Sequence, residues 1–187
     1  MTNLTTFIKS KAIELGFYDC GISKVSELEH DKKYLQQWLQ EGKHGSMDYM
    51  ENHLEKRADP SKLVEGANTV ISLLYNYYPK SKQNTKTAYK VSKYAYGKDY
   101  HKVLKRKLKL LLNEIKKHRP NIKARIFTDS APVMERQWAA QSGLGWIGKN
   151  TLLLNKEVGS YFFIGEIISD LELETGHPVA DLCGRCV

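Results

Sequence analysis

The stretch Thr69-Val-Ile-Ser-Leu-Leu-Tyr75 constrains the fold of this chain more than any other. It is a nearly continuous apolar run rich in β-branched residues. Such a run fits a strand buried on both faces rather than one that alternates between core and solvent, so the spacing predicts a central strand ended by Pro79. A buried strand needs neighbours and covering helices, and the rest of the sequence offers both. Leu4, Ile8, Ala12 and Leu15 recur at helical spacing before Gly16, predicting a helix over Thr5–Leu15. Tyr34, Leu35, Trp38 and Leu39 predict a second amphipathic helix over His30–Gln40, followed by a shorter helical piece from His44 to Met47. Leu104, Leu108, Leu111, Leu112 and Ile115 form one apolar face of a helix over Tyr100–His118, ended by Pro120. Further strands are read at Phe17–Ile22, Lys123–Thr128, Thr151–Leu154 and Ser160–Ile168, with a helix at Ser130–Gln141. The last two strands are adjacent and suited to pairing as a hairpin. The mixed order points to an α+β domain, a mixed or antiparallel sheet flanked by helices, rather than a strictly alternating parallel one. Lys80–Thr87 is a polar connection within the domain.

The length of 187 residues suits one domain, or one domain and the beginning of another. An apolar fraction of 41% and a charged fraction of 27% argue against disorder. No run approaches the roughly 18 apolar residues of a membrane span, and the amino terminus lacks an apolar signal segment, so a cytoplasmic protein with no membrane partner is expected, as a monomer. The net charge of +8 is concentrated in Lys102, Lys105, Arg106, Lys107, Lys109, Lys116, Lys117 and Arg119. That cluster permits a polyanionic partner but equally suits a solvated helix face. Three cysteines do not make a disulfide framework: Cys20 stands alone, and Cys183 and Cys186 form a Cys-x-x-Cys pair at the chain's end.

Four strings carry candidate chemistry. Thr128-Asp-Ser-Ala-Pro-Val-Met-Glu-Arg136 lies between a predicted strand and helix, where Asp129 or Ser130 can serve as an ordinary helix cap completed by Glu135. Alternatively Asp129 faces a crevice as a proton donor, with Arg136 aimed into the same space. Gly143-Leu-Gly-Trp-Ile-Gly-Lys-Asn150 has glycines that let backbone approach a ligand, or that make a tight turn; it follows a helix, unlike the nucleotide-binding loops, which follow a strand. Tyr94-Ala-Tyr-Gly-Lys-Asp-Tyr-His101 sets aromatics beside the basic helix, as stacking on unpaired bases would use, or as a core edge would. Cys183-Gly-Arg-Cys186 suits zinc, redox chemistry or the opening of a ferredoxin run, and two thiolates cannot complete a four-cysteine site.

In this order, these strings together with Gly45-Ser-Met-Asp-Tyr-Met50 and Lys56-Arg-Ala-Asp-Pro60 resemble the epoxyqueuosine reductase family across nearly the whole chain. The resemblance implies a nitroreductase-like domain that holds cobalamin and reduces epoxyqueuosine in a tRNA anticodon loop to queuosine. Electrons would come from two 4Fe-4S clusters in a following ferredoxin-like domain. It implies Asp129 as proton donor and Arg136 as the arginine beside cobalt. Arg57, Tyr94, Gly148, Lys149, Asn150 and Ser160 are expected around the cofactor, and Tyr100, His101, Lys102, Lys105 and Arg106 on the tRNA. Cys183 and Cys186 would be cluster ligands. Residues 1–178 would be the catalytic domain and 179–187 the start of a cluster domain cut short at Val187, leaving a fragment inactive without its electron supply. The competing readings are a cobalamin-binding or trafficking module, a flavin nitroreductase-like enzyme, and a plain nucleic-acid-binding protein.

Overall fold

A computed structural model describes residues 3–81, 83 and 89–184. Its main sheet has four strands in the order β1-β2-β6-β3, every neighbouring pair antiparallel: β1 is Asp19–Lys24, β2 Thr69–Asn76, β3 Ala124–Phe127 and β6 Phe162–Ser169. The apolar run is the interior strand β2, with Thr69 to Leu74 all buried.

Alternation along the strands sorts the core into two layers. On one face, Ile71, Leu73 and Ile167 meet Ile8 and Ala12 of α1 (Leu4–Glu14) and Leu108, Leu111 and Ile115 of α4 (Tyr100–His118). On the other, Val70 and Ile168 meet Trp138, and Leu74 meets Ala139, both from α5 (Glu135–Gln141). The α4 stripe Leu104, Leu108, Leu111 and Ile115 is fully buried, each side chain contributing roughly 1.5–3 kcal/mol. Helix and sheet approach closely at Gly165, where an added Cβ would lie 3.0 Å from Leu108 Cδ1.

Two further helices, α2 (Glu29–Gln40) and α3 (Leu54–Ala58), pack on each other. Tyr34 of α2 is exposed, while Leu35, Trp38 and Leu39 are half-buried. The segment after α2 is a series of turns and a short 3-10 helix at Asp48–Met50, not a helix from His44. The first strand lies two residues later than its apolar start suggests, because Phe17 closes α1 by donating its N–H to the Ala12 carbonyl. The polar connection predicted at Lys80–Thr87 lies largely outside the described residues.

The expected hairpin of 151–154 with 160–168 does not form. Strand β5 (Leu153–Leu154) instead pairs with β4 (Trp146–Ile147), inside the glycine-rich string, and β6 is claimed by β2 and β3. Gly145 makes the tighter pairing possible: an added Cβ there would sit 2.1 Å from the Leu154 carbonyl oxygen. The helix predicted from Ser130 starts only at Glu135. Pro132 constrains the preceding chain, and Asp129 occupies the left-handed region at φ 56°, so 128–134 is a loop. Met134 precedes the helix without a side-chain cap, which sets aside the Asp or Ser cap.

Candidate active site

The first turn of α4 and the 128–134 loop converge at one edge of the sheet. Asp99 caps α4, its Oδ1 accepting the His101 N–H at 3.0 Å. This fixes Tyr100 and His101 at the helix start. The Tyr100 ring stacks on Phe163 of β6 with centroids 4.0 Å apart and planes 4° from parallel. Its hydroxyl donates to Asp129 Oδ2 at 2.7 Å, and His101 Nε2 meets the same oxygen at 2.8 Å. The other ring nitrogen of His101, Nδ1, lies 3.0 Å from Asp99 Oδ1.

A neutral imidazole carries one N–H and cannot donate to carboxylates on both sides; the imidazolium can. The His101 pKa is accordingly raised, first by its bond to Asp129 and then by the bond to Asp99. Asp129 is held below the usual carboxylate range, chiefly by the Tyr100 hydroxyl and further by His101. Burial, followed by the bond to Asp129, raises the Tyr100 pKa. At neutral pH the carboxyl is ionised, and the cluster's protons sit on the phenol and the imidazole.

Beside this cluster opens a cleft of about 520 Å³, whose wall includes Tyr75, Tyr78, Tyr94, Tyr100, Phe163 and Arg106. The Lys93 ammonium lies 4.0 Å from the Tyr78 ring centroid, and Tyr77 and Phe163 pack with centroids 4.5 Å apart. Rings flanked by cations suit a stacked base and its phosphate. Of the residues expected on tRNA, Tyr100 and Arg106 line the cleft and His101 bonds Asp129 beside it; Lys102 and Lys105 lie on the exposed face of α4. Tyr94, expected at the cofactor, lines the same cleft.

Two successive residues of α5 connect the cluster to the glycine-rich turn. Glu135 Oε1 accepts the Asp129 backbone N–H at 2.6 Å. Arg136 donates from its guanidinium to the carbonyl of Thr151, in the turn that joins β4 to β5. Arg136 is thus placed near the Asp129 loop through its neighbour, while its guanidinium reaches toward the turn. Gly148, Lys149 and Asn150 form that turn, with the Thr151 N–H on the Gly148 carbonyl and the Leu152 N–H on Asn150 Oδ1. The Lys149 N–H donates to Cys183 Sγ at 3.4 Å, which seats the end of the described chain on the turn. Ser160 is half-buried just before β6. The Arg57 guanidinium binds the carbonyls of Asn52 and Tyr49. Cys186 lies outside the described residues. Among the described residues, no three His, Cys, Asp or Glu side chains gather as a metal site, and no helix is long and apolar enough to cross a membrane.

Sequence reading missed three members of this region. Glu135 was visible only as part of a capping pattern, yet burial raises its pKa to about 7. Glu166 is fully buried in β6, and its pKa is raised well above the ordinary value by burial and by Glu135. A single acid in Phe-Phe-Ile-Gly-Glu-Ile-Ile was the signal that could have found it. Phe163, the ring beneath Tyr100, carried no such mark.

Fold and site together define an α+β domain whose antiparallel sheet carries a phenol–carboxylate–imidazole cluster at the mouth of an aromatic, basic cleft. Residues 57–130, which hold both Tyr100 and Asp129, match the family described as epoxyqueuosine reductase QueG, DUF1730. Over its full length the chain is 53% identical to the epoxyqueuosine reductase of Leadbetterella byssophila, of which it spans 61%. The structure of epoxyqueuosine reductase from Streptococcus thermophilus superposes with a TM-score of 0.91 at 32% identity, over 99% of this chain and 50% of that one. An epoxyqueuosine reductase crystallised with a tRNA-Tyr epoxyqueuosine-modified stem loop gives 0.87 at 26% identity, over 98% and 49%. A reductive dehalogenase whose structure suggests a mechanism for B12-dependent dehalogenation shares the fold alone, with a TM-score of 0.56 at 12% identity over 92% of this chain and 20% of that one. By these measures the chain is similar to the epoxyqueuosine reductases, and it spans about half to three-fifths of the length of the proteins it matches.

Proposed function

We propose that this chain is the catalytic part of an epoxyqueuosine reductase, which uses cobalamin to reduce epoxyqueuosine in tRNA to queuosine. The observation that carries the reading is Asp129, held by Tyr100 and His101 beside an aromatic, basic cleft. The family match covers these same residues.

Removing an epoxide oxygen as water consumes two electrons and two protons. Negative charge builds on that oxygen, and a positioned acid lowers the barrier. In this reading the Asp129 carboxylate takes a proton from His101 Nε2, 2.8 Å away, and relays it through Oδ2 to the departing oxygen, the second proton following by the same route once His101 is reprotonated from solvent. The phenolic proton of Tyr100 stays on its oxygen and keeps the carboxylate aimed. The tyrosines of the cleft would stack on the unpaired nucleosides of the anticodon loop, while Arg106, with Lys102 and Lys105, meets phosphates.

The turn at 148–151 fits the amide-bearing rim of a corrin, because Lys149 and Asn150 are exposed and Arg136 is fixed to the same turn through Thr151. Those three residues would hold cobalamin, with Gly148 and Ser160 beside them; Arg57 would join only by releasing its carbonyl partners. When bound, cobalamin supplies the reducing cobalt centre for the chemistry. The Cys183 thiol, seated on the Lys149 amide, would bring a 4Fe-4S cluster close to that turn, with Cys186 as a second ligand. Residues 1–178 then form a nitroreductase-like catalytic domain, and residues 179–187 lead into a cluster domain. A cytoplasmic location follows from this role.

The test adds cob(II)alamin to the purified chain and follows its visible and electron paramagnetic spectra, with a chain as long as the relatives in parallel. Perturbed spectra are expected in both, and unchanged spectra in both would overturn the cobalamin assignment. A modified tRNA stem loop should bind. Replacing Lys102, Lys105 or Arg106 with alanine should flatten the slope of log K against log salt by roughly 0.7–0.9 for each phosphate left without its cation. An unaltered slope in all three would remove them from the interface.

A further inference from the structure

Glu166 and Glu135 lie behind the Asp129 loop, and neither forms a salt bridge among the described residues. Along β6, Glu166 shares the sheet face of Ile168, which packs on Trp138 of α5, the helix that Glu135 begins. In the sheet Glu166 stands between Ser72 of β2 and Phe127 of β3. Ser72 Oγ donates to its Oε1 at 3.2 Å, while Oε2 is buried without a hydrogen-bond partner. A fully buried carboxylate with one hydroxyl donor and one bare oxygen is costly as an anion and stable as a neutral acid. Glu135 differs. It accepts a short backbone N–H, carries Arg136 beside it, and faces His101 on α4 as well as Asp129 and Tyr100.

We propose that Glu166 stays protonated at neutral pH, and that Glu135 is the positioning residue that latches Asp129 against Tyr100 and His101. With Oε2 enclosed and without a donor, Glu166 keeps its proton, and burial and the charge of Glu135 both push its pKa up. The neutral Glu166 leaves Glu135 free to accept from the Asp129 amide. That bond holds Asp129 in a left-handed backbone conformation that non-glycine residues seldom adopt. The inference rests on the reading of Asp129 as the acid of the reaction, but its test does not depend on turnover.

Infrared spectroscopy of the chain at neutral pH reads the proton directly, because a protonated carboxyl stretches above the carboxylate bands. Each of the other carboxyls whose pKa is clearly displaced, at Glu41, Glu55, Glu65, Asp99, Glu114 and Asp129, is displaced downward and leaves that region clear. A neutral-pH band is expected, lost in Glu166→Gln and kept in Glu135→Gln. Its absence from the unaltered chain overturns the protonated Glu166 without recourse to any variant. Amide hydrogen exchange reads the latch: at Asp129 it should quicken at least tenfold in Glu135→Ala and stay within about twofold in Glu135→Gln, whose amide oxygen can still accept. Equal exchange in Glu135→Ala and the unaltered chain overturns the positioning role. In a chain of the relatives' full length, Glu135→Ala should lower kcat at nearly constant KM, and Glu135→Gln should recover it. If the band and the exchange behave as expected while kcat is unmoved by Glu135→Ala, the link from the latch to catalysis is overturned, and the assignment of Asp129 as the acid comes into question separately.

Discussion

Tyr100→Phe removes one oxygen and leaves the ring that stacks on Phe163. The lost bond, 2.7 Å from a carboxylate, is the largest influence lowering the Asp129 pKa. A hydrogen bond to a charged group contributes about 1.5–3 kcal/mol in a favourable setting. The Asp129 side chain is 57% exposed, so water replaces part of that bond, and a loss of roughly 1 kcal/mol is the reasonable figure. For a chain of this size that corresponds to a fall of about 2–4 °C in Tm. The pH dependence identifies the cause. A carboxyl whose folded pKa is depressed contributes stability above its unfolded value, about 3.9, and loses it as pH falls through the folded pKa. The deficit of Tyr100→Phe should therefore be full at neutral pH and shrink as Asp129 protonates. Urea unfolding across the acid range measures the deficit, and carbon-detected NMR of the Asp129 carboxyl should show its midpoint moving up in the variant. A midpoint that does not move, or a deficit equally large where Asp129 is protonated in both proteins, would refute the assignment of the phenol as its principal partner.

Two further outcomes are expected. His101 has a raised pKa, so its contribution to stability is complete below its unfolded value of about 6.5 and is lost as pH rises through the folded value; His101→Asn should destabilise most on the acid side of neutrality, with the gap closing in alkaline urea melts. Gly145→Ala places a Cβ against the Leu154 carbonyl, a backbone group that no rotamer change can move aside, so a loss of about 1–3 kcal/mol is expected, seen as a lower urea midpoint together with faster exchange at the β4–β5 amides.

Periodicity was a sound guide where packing is local. The interior strand β2 and the long helix α4 follow from side chains spaced along single segments, and both stand within a residue of where the spacing puts them. Pairing was not legible in that way. Strand β6 takes β2 and β3 as neighbours from far along the chain, and β5 is captured by two residues of the glycine-rich string. Nothing in the sequence near 151–154 expresses that competition. The site divides similarly. The strings Tyr94–His101 and Thr128–Arg136 were visible as separate candidates, but the meeting of Tyr100, His101 and Asp129 on one oxygen depends on where β3 ends and where α4 begins against the sheet. Arg136 was expected to aim into the same space as Asp129; its guanidinium instead donates to the Thr151 carbonyl. Glu166 acquires its chemistry only from being enclosed, and enclosure belongs to the finished fold.

The left-handed geometry at Asp129 bears on how its substitutions should be interpreted. Asparagine tolerates that region nearly as well as aspartate, whereas alanine there costs about 1–2 kcal/mol from its own Cβ. An alanine variant thus combines the removal of an ionisable group with a backbone that prefers to leave its place, and its phenotype belongs to neither alone. Only the amide isostere separates charge from conformation at this position.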